Sequence, residues 1–436
     1  MSKTASVNKL ATTLTWVIAV ILVLLPFHAF ITVWLSSGLG HYTLLRLWKE
    51  FLLLLIALGA INILLKEKHL RQKLLSLRLA KLIAAYFLLL LICGFIALAR
   101  HTVAAKAVWY GLLIDSRFLV FFLAVLVISA NHDWLLRKWR PVILIPAAVV
   151  AAFAVLQYLF LPYDLLKHFG YGPSTISPYE TINHNLSHIR VASTLRGANP
   201  LGAYLIIPIS ILTAWSLRGR RQSIYKLALG TVLLLALVFS FSRSAWIGTF
   251  LAFLTIAWLS LKTEAARKKT FIAASLLLVL AAVLGITLRN NLSFENAVLH
   301  TDRNSHAVQS SNQGHSAAFK GAVKDIAHKP LGAGVGSAGP QSVYNNKSTR
   351  IAENYYLQIG QEVGVIGMLL FIAINIGVGK MLFNRRQDPL ALALLASLIG
   401  LSFVNLLSHA WADDTLAYIW WGLAGLALAP RLAKQK

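Results

Sequence analysis

The chain has 436 residues, of which 58% are hydrophobic and 13% are charged, and its mean hydropathy is +0.68. Soluble domains carry about twice that share of charged residues, which excludes a largely water-facing surface. The formal charge of +26 invites a nucleic-acid interpretation. However, the basic residues are divided among short connections between apolar runs, so we expect no nucleic-acid partner.

Apolar runs that approach or reach the length of a membrane span recur along the whole chain. They predict an all-α polytopic membrane protein of about twelve transmembrane helices. A count between eleven and thirteen remains open, because the run at 118–130 is short and the pair split by Arg243 could merge. The predicted spans are 16–35, 44–65, 82–99, 118–130, 141–161, 199–217, 227–242, 244–261, 271–288, 355–379, 389–407 and 414–429.

Basic residues are concentrated in every second connection, which predicts that both termini are cytoplasmic. These connections are 66–81, 137–140, 218–226, 262–269 and 380–386. The remaining cations lie toward the outer side, where they fit an anionic head group such as a lipid pyrophosphate. Ordinary contacts between interfacial cations and anionic lipid explain them as well.

We expect residues 1–436 to form a single transmembrane domain with two long outer connections, at 162–198 and 290–353. The first apolar run is long enough to remain a span and lacks a clear cleavage site. The chain has one cysteine, Cys93, which lies within an apolar run. A single cysteine excludes a disulfide framework and a cysteine-based zinc site.

The connection at 290–353 begins with a polar stretch, 301–314, and then becomes helical in its period. Apolar residues at 318–326 predict a short amphipathic helix that ends at Pro330. A glycine-rich segment follows, in which Gly334 and Gly336 permit positive φ angles that aim N–H groups at an anion. A plain turn from loop to helix explains these glycines equally well.

The first polar segment at an outer helix end contains Arg190, Arg196 and Asn199, followed by Pro200. Asn199 is predicted to be the N-cap of a helix that has proline at its first position. Two guanidinium groups beside a helix N-terminus favour phosphate. The alternative is that both arginines extend to lipid head groups.

The second polar segment is Ser242-Arg243-Ser244, which stands between two apolar stretches. An ion at such depth is costly unless it faces a partner or an aqueous cavity. Because this turn lies on the outer side, the cytoplasmic preference of cations does not explain Arg243. We therefore predict that Arg243 faces a ligand rather than anchoring the helix at the interface.

The third polar segment opens the tenth predicted span with Glu353 and Asn354, and continues to Gln361 and Glu362. A carboxylate at a helix start is either a cap that the helix dipole favours or a general base for an incoming hydroxyl. The residues alone favour the cap.

The order of these segments resembles the O-antigen ligase family, which includes glycan ligases and related polymerases. The resemblance runs from about residue 190 to residue 367. Its most specific parts are 190–200, Ser242-Arg243-Ser244, Pro330-Leu331-Gly332 with Gly334 and Gly336, and 354–367.

The resemblance implies transfer of a glycan from an undecaprenyl-pyrophosphate carrier to the hydroxyl of a glycolipid or glycan acceptor. The reaction would take place at the outer face of the cytoplasmic membrane, without a metal or other cofactor. Arg190 and Arg243 would hold the pyrophosphate and stabilise its charge as it leaves. Arg196, Asn199, Asn354 and the two glycines would help to bind the substrate.

Two departures from the family leave the base open. Many ligases have a histidine at the position of Glu353, and an arginine four residues before a tryptophan where this chain has His315 before Phe319. We take Glu353 as the catalytic base and His315 as the alternative, although His315 also fits an exposed loop histidine.

Two further functions remain open. A glycan-repeat polymerase would use the same type of donor. A solute transporter has a compatible number of helices, but transporters usually show paired halves and charges near the midplane. The sequence shows no obvious repeat, and its polar segments gather at one face. A non-catalytic scaffold would tolerate replacement of Arg190 and Arg243.

Overall fold

The computed structural model describes residues 3–182, 185–218, 223–261, 263–288, 291, 311–345 and 349–433. Within these ranges the chain is helical apart from two short strands and the connections. Part of the predicted connection 290–353, including residues 301–310 of its polar stretch, lies outside the described residues. So do residues 219–222 and 262 of the predicted basic connections.

Sixteen α-helices lie in the described part of the chain, and the two strands follow the eighth of them. The helices in the first half are α1 (Lys3–Leu24), α2 (His28–Leu39), α3 (Tyr42–Leu45), α4 (Trp48–Lys66), α5 (Lys68–Ser76), α6 (Arg78–Ala99), α7 (Ala105–Ser129) and α8 (Trp134–Leu159). The strands are β1 (Glu180–Ile182) and β2 (Asn185–Arg190). The remaining helices are α9 (Ala198–Arg218), α10 (Ile224–Phe239), α11 (Arg243–Ser260), α12 (Glu264–Thr287), α13 (Ser311–His328), α14 (Tyr355–Phe383), α15 (Pro389–Leu407) and α16 (Asp414–Leu428).

Nine segments of the described chain are long and apolar enough to cross a membrane. One of them, Ser6–Leu39, combines α1 and α2. The prediction of a helical membrane protein with many spans is therefore confirmed. Helices α10, α12 and α16 coincide with three further predicted spans, so the count of twelve stays a prediction.

Helix α16 lies at the centre of the bundle and is almost wholly buried. Two glycines allow it to approach α7 closely: a Cβ at Gly422 would overlap the Phe121 ring, and one at Gly425 would lie 2.5 Å from the Phe122 carbonyl oxygen. Helices in lipid are not held together by the hydrophobic effect, so the close van der Waals packing that small residues allow stabilises such crossings. This packing fixes the end of α16 at which the polar residues gather.

Helix α7 is much longer than the run at 118–130 that predicts it, because it begins at Ala105. The added turns include two buried ionisable residues, Asp115 and Arg117. Both have partners from other helices: Tyr355 donates to Asp115 Oδ1 over 3.0 Å, and Arg117 Nη1 lies 2.9 Å from Glu50 Oε1. A hydropathy window cannot detect such partners.

The two long connections meet at one end of the bundle, which we call the site end. The chain after β2 is joined there to the α10–α11 turn, since Val191 N donates to Phe239 O over 3.2 Å. The predicted amphipathic helix is observed as α13, which begins earlier than predicted and buries Ala322 and Ile326. Residues of both connections, among them Ile176 and Tyr344, line one cavity, so the two connections lie at the same end of the bundle.

Candidate active site at the site end

A short hairpin places Arg190 at the site end. Strands β1 and β2 pair antiparallel, and their register sets Glu180 opposite Arg190. Opposite charges at such a pair stabilise a hairpin modestly. The Arg190 Nη1 atom lies 3.7 Å from Glu180 Oε2, which is an ion pair beyond ordinary hydrogen-bond distance.

The closer contacts of Arg190 go to neutral oxygens. Its Nε donates to the Ser240 carbonyl over 3.2 Å, and its Nη2 donates to Asn199 Oδ1 over 2.6 Å. The side chain is only 12% exposed. Burial lowers the pKa of Arg190, and Glu180 opposes that shift. The hairpin, the start of α9 and the end of α10 thus hold one guanidinium group between them.

Arg243 begins α11, three residues beyond the Ser240 carbonyl that Arg190 contacts. The two guanidinium groups are close enough for their charges to repel each other. Phe241, in the turn between them, has a φ of 48°, which is uncommon outside glycine. The strained turn therefore brings two cations from separate elements to one place, an arrangement that favours an anion between them.

A cavity of about 490 Å³ opens beside Arg190. Tyr158, Leu161, Pro162 and Tyr163 supply its apolar and aromatic wall. The Tyr158 ring stacks on Phe239 with 4.1 Å between the ring centroids, and 41% of Tyr158 is exposed. The cavity thus combines a buried cation with an exposed apolar side.

The predicted N-cap is displaced. Helix α9 begins at Ala198, so Asn199 lies inside its first turn, and the predicted capping role is not observed. Glu180 Oε1 instead accepts from the Ala198 backbone N–H over 3.2 Å. The N-terminus of α9 is therefore occupied by a carboxylate of the chain, and Asn199 acts on Arg190.

Arg196 lies apart from the arginine pair Arg190 and Arg243, in a contact with Asp413. Its Nε donates to Asp413 Oδ2 over 2.6 Å, and Asp413 also caps α16 by accepting from the Leu416 backbone N–H. The Arg196 side chain is 41% exposed because it lines a cavity of about 400 Å³. Arg196 therefore connects the loop after β2 to the start of α16.

The floor of this cavity is a buried ion network that sequence reasoning did not find. Lys49 Nζ lies 3.0 Å from Asp414 Oδ2 and 3.1 Å from Glu50 Oε2. Arg117 pairs with Glu50, and His28 Nε2 lies 3.4 Å from Asp414 Oδ2. The network of His28, Lys49, Glu50, Arg117 and Asp414 thus sets a lysine and an arginine against two carboxylates.

Glu353 and His315 meet across the second connection. Glu353 Oε2 lies 3.7 Å from His315 Nδ1, and the Glu353 backbone has a φ of 51°. Burial raises the pKa of Glu353, and the nearby His315 opposes that shift. The two candidate bases, Glu353 and His315, therefore lie next to each other.

His409 is a third titratable group in this neighbourhood. Burial, together with the charges of Arg196 and His315, lowers its pKa to about 4. It is therefore neutral at neutral pH. The only sequence signal for it is a cluster of polar residues between two apolar spans, at 408–414.

Residues 202–372 match the family model described as O-antigen ligase. This match supports the O-antigen ligase family for the chain. The resemblance predicted from the motifs is thereby confirmed, and it supports a protein of the ligase or polymerase type rather than a transporter. No curated protein matches the chain. Together with the many apolar helices, the match indicates a bacterial inner membrane protein.

The match to the O-antigen ligase family includes Arg243, His315 and Glu353, while Arg190 and Arg196 precede it. Lipid-linked glycans and their acceptors are the partners that the family implies.

Asn354 has a structural contact in this O-antigen ligase domain. It is the N-cap of α14 and accepts from the Leu357 backbone N–H over 3.0 Å. Its Nδ2 donates to the Leu406 carbonyl over 3.1 Å, and the residue is 3% exposed. These contacts fix the direction in which the chain leaves Glu353.

The glycine-rich segment directs N–H groups at a carboxyl group, and that group belongs to the chain itself. Gly336 N donates to Glu362 Oε1 over 2.8 Å, and Gln341 Nε2 donates to the same oxygen over 2.7 Å. Gly334 and Gly336 have φ angles of 105° and 84°. Both glycines pack on neighbouring helices, so the segment is bound to α14 and lies apart from the arginine pair.

Proposed function

We propose that this protein transfers a glycan from an undecaprenyl-pyrophosphate carrier to an acceptor hydroxyl at the outer face of the cytoplasmic membrane. The proposal depends on one observation, the proximity of Arg190 and Arg243, which come from separate elements. The match to the family model supports this chemistry in general terms. The donor, the acceptor and the outward orientation are parts of the proposal.

The leaving group explains why two arginines would be needed. When the bond between the sugar and the pyrophosphate oxygen breaks, negative charge increases on that oxygen. Fixed donors that face this charge lower the barrier, and they act strongly in a site with little water. Arginine suits the task because its planar fork donates two parallel hydrogen bonds to phosphate.

The cavity beside Arg190 offers a path for the lipid carrier. Its apolar and aromatic wall is exposed next to α8, a candidate span. A polyprenyl chain can extend along such a wall into the membrane while its pyrophosphate stays at the guanidinium groups. We therefore assign this cavity to the donor.

We assign the general base to Glu353, with His315 as the alternative. The base removes the proton of the acceptor hydroxyl as its oxygen attacks the sugar carbon. Burial raises the pKa of Glu353 and so makes it a stronger base than an exposed glutamate. His315 is the alternative because its Nδ1 lies 3.7 Å from Glu353 Oε2.

Transfer by purified protein tests the proposal. The full-length protein is incubated in proteoliposomes with a lipid-pyrophosphate-linked glycan and an acceptor glycolipid. A single product of donor plus acceptor indicates a ligase, whereas a ladder of repeats indicates the polymerase alternative. Neither product should appear with the double variant Arg190→Ala/Arg243→Ala. Unchanged transfer by that variant would refute the assignment.

A further inference from the structure

A further cavity lies between α6 and the loop that follows α13. It measures about 420 Å³, within the range of about 300–1,000 Å³ that is usual for small-molecule sites. A smaller cavity of about 90 Å³ adjoins it and shares four of its residues. None of the candidate catalytic residues lines either cavity.

The charge of this cavity is strongly positive. Arg100, Lys329 and Arg350 line it. Among the described residues that line the two cavities, Asp325 is the only carboxylate, and it lies 3.3 Å from Arg350. Three cations thus face one carboxylate, so an anionic group from outside the chain would gain favourable contacts.

The opposite wall of the cavity is apolar and reaches the surface of a candidate span. Cys93, Ile96 and Ala97 of α6 contribute to it, together with Leu331. Ile96 is 44% exposed and Leu331 is 75% exposed. A molecule that fits this cavity therefore has a charged head and an apolar tail directed along α6.

A buried hydroxyl adds an independent observation. Ser337 lines both cavities and is only 8% exposed, and its Oγ has no hydrogen-bond partner among the described residues. A buried hydroxyl without a partner is costly, and a phosphate oxygen would satisfy it. Gly334 closes the floor, since a Cβ there would lie 2.6 Å from the Ala97 Cβ.

We propose that this cavity binds the phosphate head group of an anionic glycerophospholipid from the surrounding membrane. Arg100 and Lys329 contact the phosphate, Ser337 donates to one of its oxygens, and the acyl chains lie along α6. The site is separate from the arginine pair, so it does not depend on the proposed transfer reaction.

Lipid retention tests this site directly. The full-length protein is purified with dioleoylphosphatidylglycerol or dioleoylphosphatidylcholine, and bound lipid is counted by native mass spectrometry. Wild type should retain phosphatidylglycerol preferentially. The double variant Arg100→Gln/Lys329→Gln should bind it about ten-fold more weakly, since each cation near an anionic lipid contributes to its binding.

A matched control removes two charges elsewhere. Lys320 and Lys324 lie on α13, are exposed and do not line the cavity. The double variant Lys320→Gln/Lys324→Gln should retain phosphatidylglycerol as wild type does. Thermal unfolding of both double variants shows whether each is folded.

Cys93 provides a second measurement because it is the only cysteine in the chain and lines the cavity. Phosphatidylglycerol should slow the reaction of Cys93 with a membrane-permeant maleimide in wild type but not in the Arg100→Gln/Lys329→Gln variant. Equal retention of both lipids by wild type would overturn the proposal and indicate an apolar groove only. Displacement of the lipid by millimolar inorganic phosphate would overturn it in favour of a free-phosphate site.

Discussion

The arginine pair and the buried ion network both place charges where the chain crosses or borders the membrane, but their charges are compensated in different ways. In the network, Lys49 and Arg117 contact Glu50 and Asp414 at 2.9–3.1 Å, so cations and carboxylates balance. At the arginine pair, Arg190 donates to two neutral oxygens, and its ion pair with Glu180 is longer.

This difference separates a structural role from a binding role. A balanced network satisfies its own charges, and removing one member leaves an unpaired ion. Two cations that repel each other are stabilised when an anion binds between them. We therefore expect replacements in the network to act on stability, and replacements at the arginine pair to act on donor binding and transfer.

The largest effect should come from the arginine pair. Arg243→Ala is expected to lower the rate of transfer by about 10²–10³-fold, the usual cost of losing one donor to a developing oxyanion. Arg243→Lys keeps the charge but loses the planar fork, so its transfer rate should lie between those of wild type and Arg243→Ala. Transfer is measured in proteoliposomes with a lipid-linked donor. A fully active Arg243→Ala variant would show that the pair is structural.

The next effect concerns Glu353. Glu353→Gln should lower transfer by about 10²-fold, since general bases contribute about 10²–10⁴-fold. Only the ionised carboxylate accepts a proton, and burial raises its pKa. Wild-type kcat/KM should therefore fall as the pH drops through this raised pKa, which lies above that of an exposed glutamate.

The control for Glu353 is its neighbour. His315→Ala should lower transfer less than Glu353→Gln does, and it should keep the acidic limb of the pH profile. If Glu353→Gln transfers at the full rate and His315→Ala does not, the base is His315.

In the network, Lys49→Met should lower the free energy of unfolding by about 3–5 kcal/mol, because it removes the closest cation from the largely buried Asp414 carboxylate. Lys49 is 1% exposed, so solvent cannot take over its role. The measurement is thermal unfolding in detergent. Arg137→Gln, in an exposed ion pair with Asp133, serves as the control and should change stability by less than about 1 kcal/mol.

The smallest expected effect is that of Gly336→Ala, in the segment that Glu362 binds. Its φ of 84° would be strained in alanine, at a cost of about 1–3 kcal/mol, and a Cβ would also overlap the Ala107 backbone. Thermal unfolding of the variant measures this cost. A variant as stable as wild type would show that the segment is not rigidly bound to α6 and α7.

The sequence could predict the helices because each crossing leaves an apolar run. Helix α7 is the instructive exception. The partners of Asp115 and Arg117 are Tyr355 and Glu50, far away in sequence, so no local pattern shows that these ions are tolerated in a helix.

The candidate site was predictable as a set of polar helix ends, but its contacts were not. Arg190 is recognisable as a cation near a predicted helix end, whereas its contact with the Ser240 carbonyl exists only in three dimensions. The sequence also did not show that Glu180, rather than Asn199, contacts the N-terminus of α9, because that contact too forms only in the folded chain. His409 was missed because the polar cluster at 408–414 does not show that this histidine is buried near Arg196 and His315.

The most direct test of the arginine pair is its affinity for pyrophosphate lipid. Binding of a short-chain polyprenyl pyrophosphate to the purified protein is measured by isothermal titration calorimetry, for wild type, Arg190→Gln/Arg243→Gln and Lys49→Met. We predict that the arginine double variant binds at least about ten-fold more weakly, while folded Lys49→Met binds as wild type does. Equal affinity in wild type and the arginine double variant would contradict it.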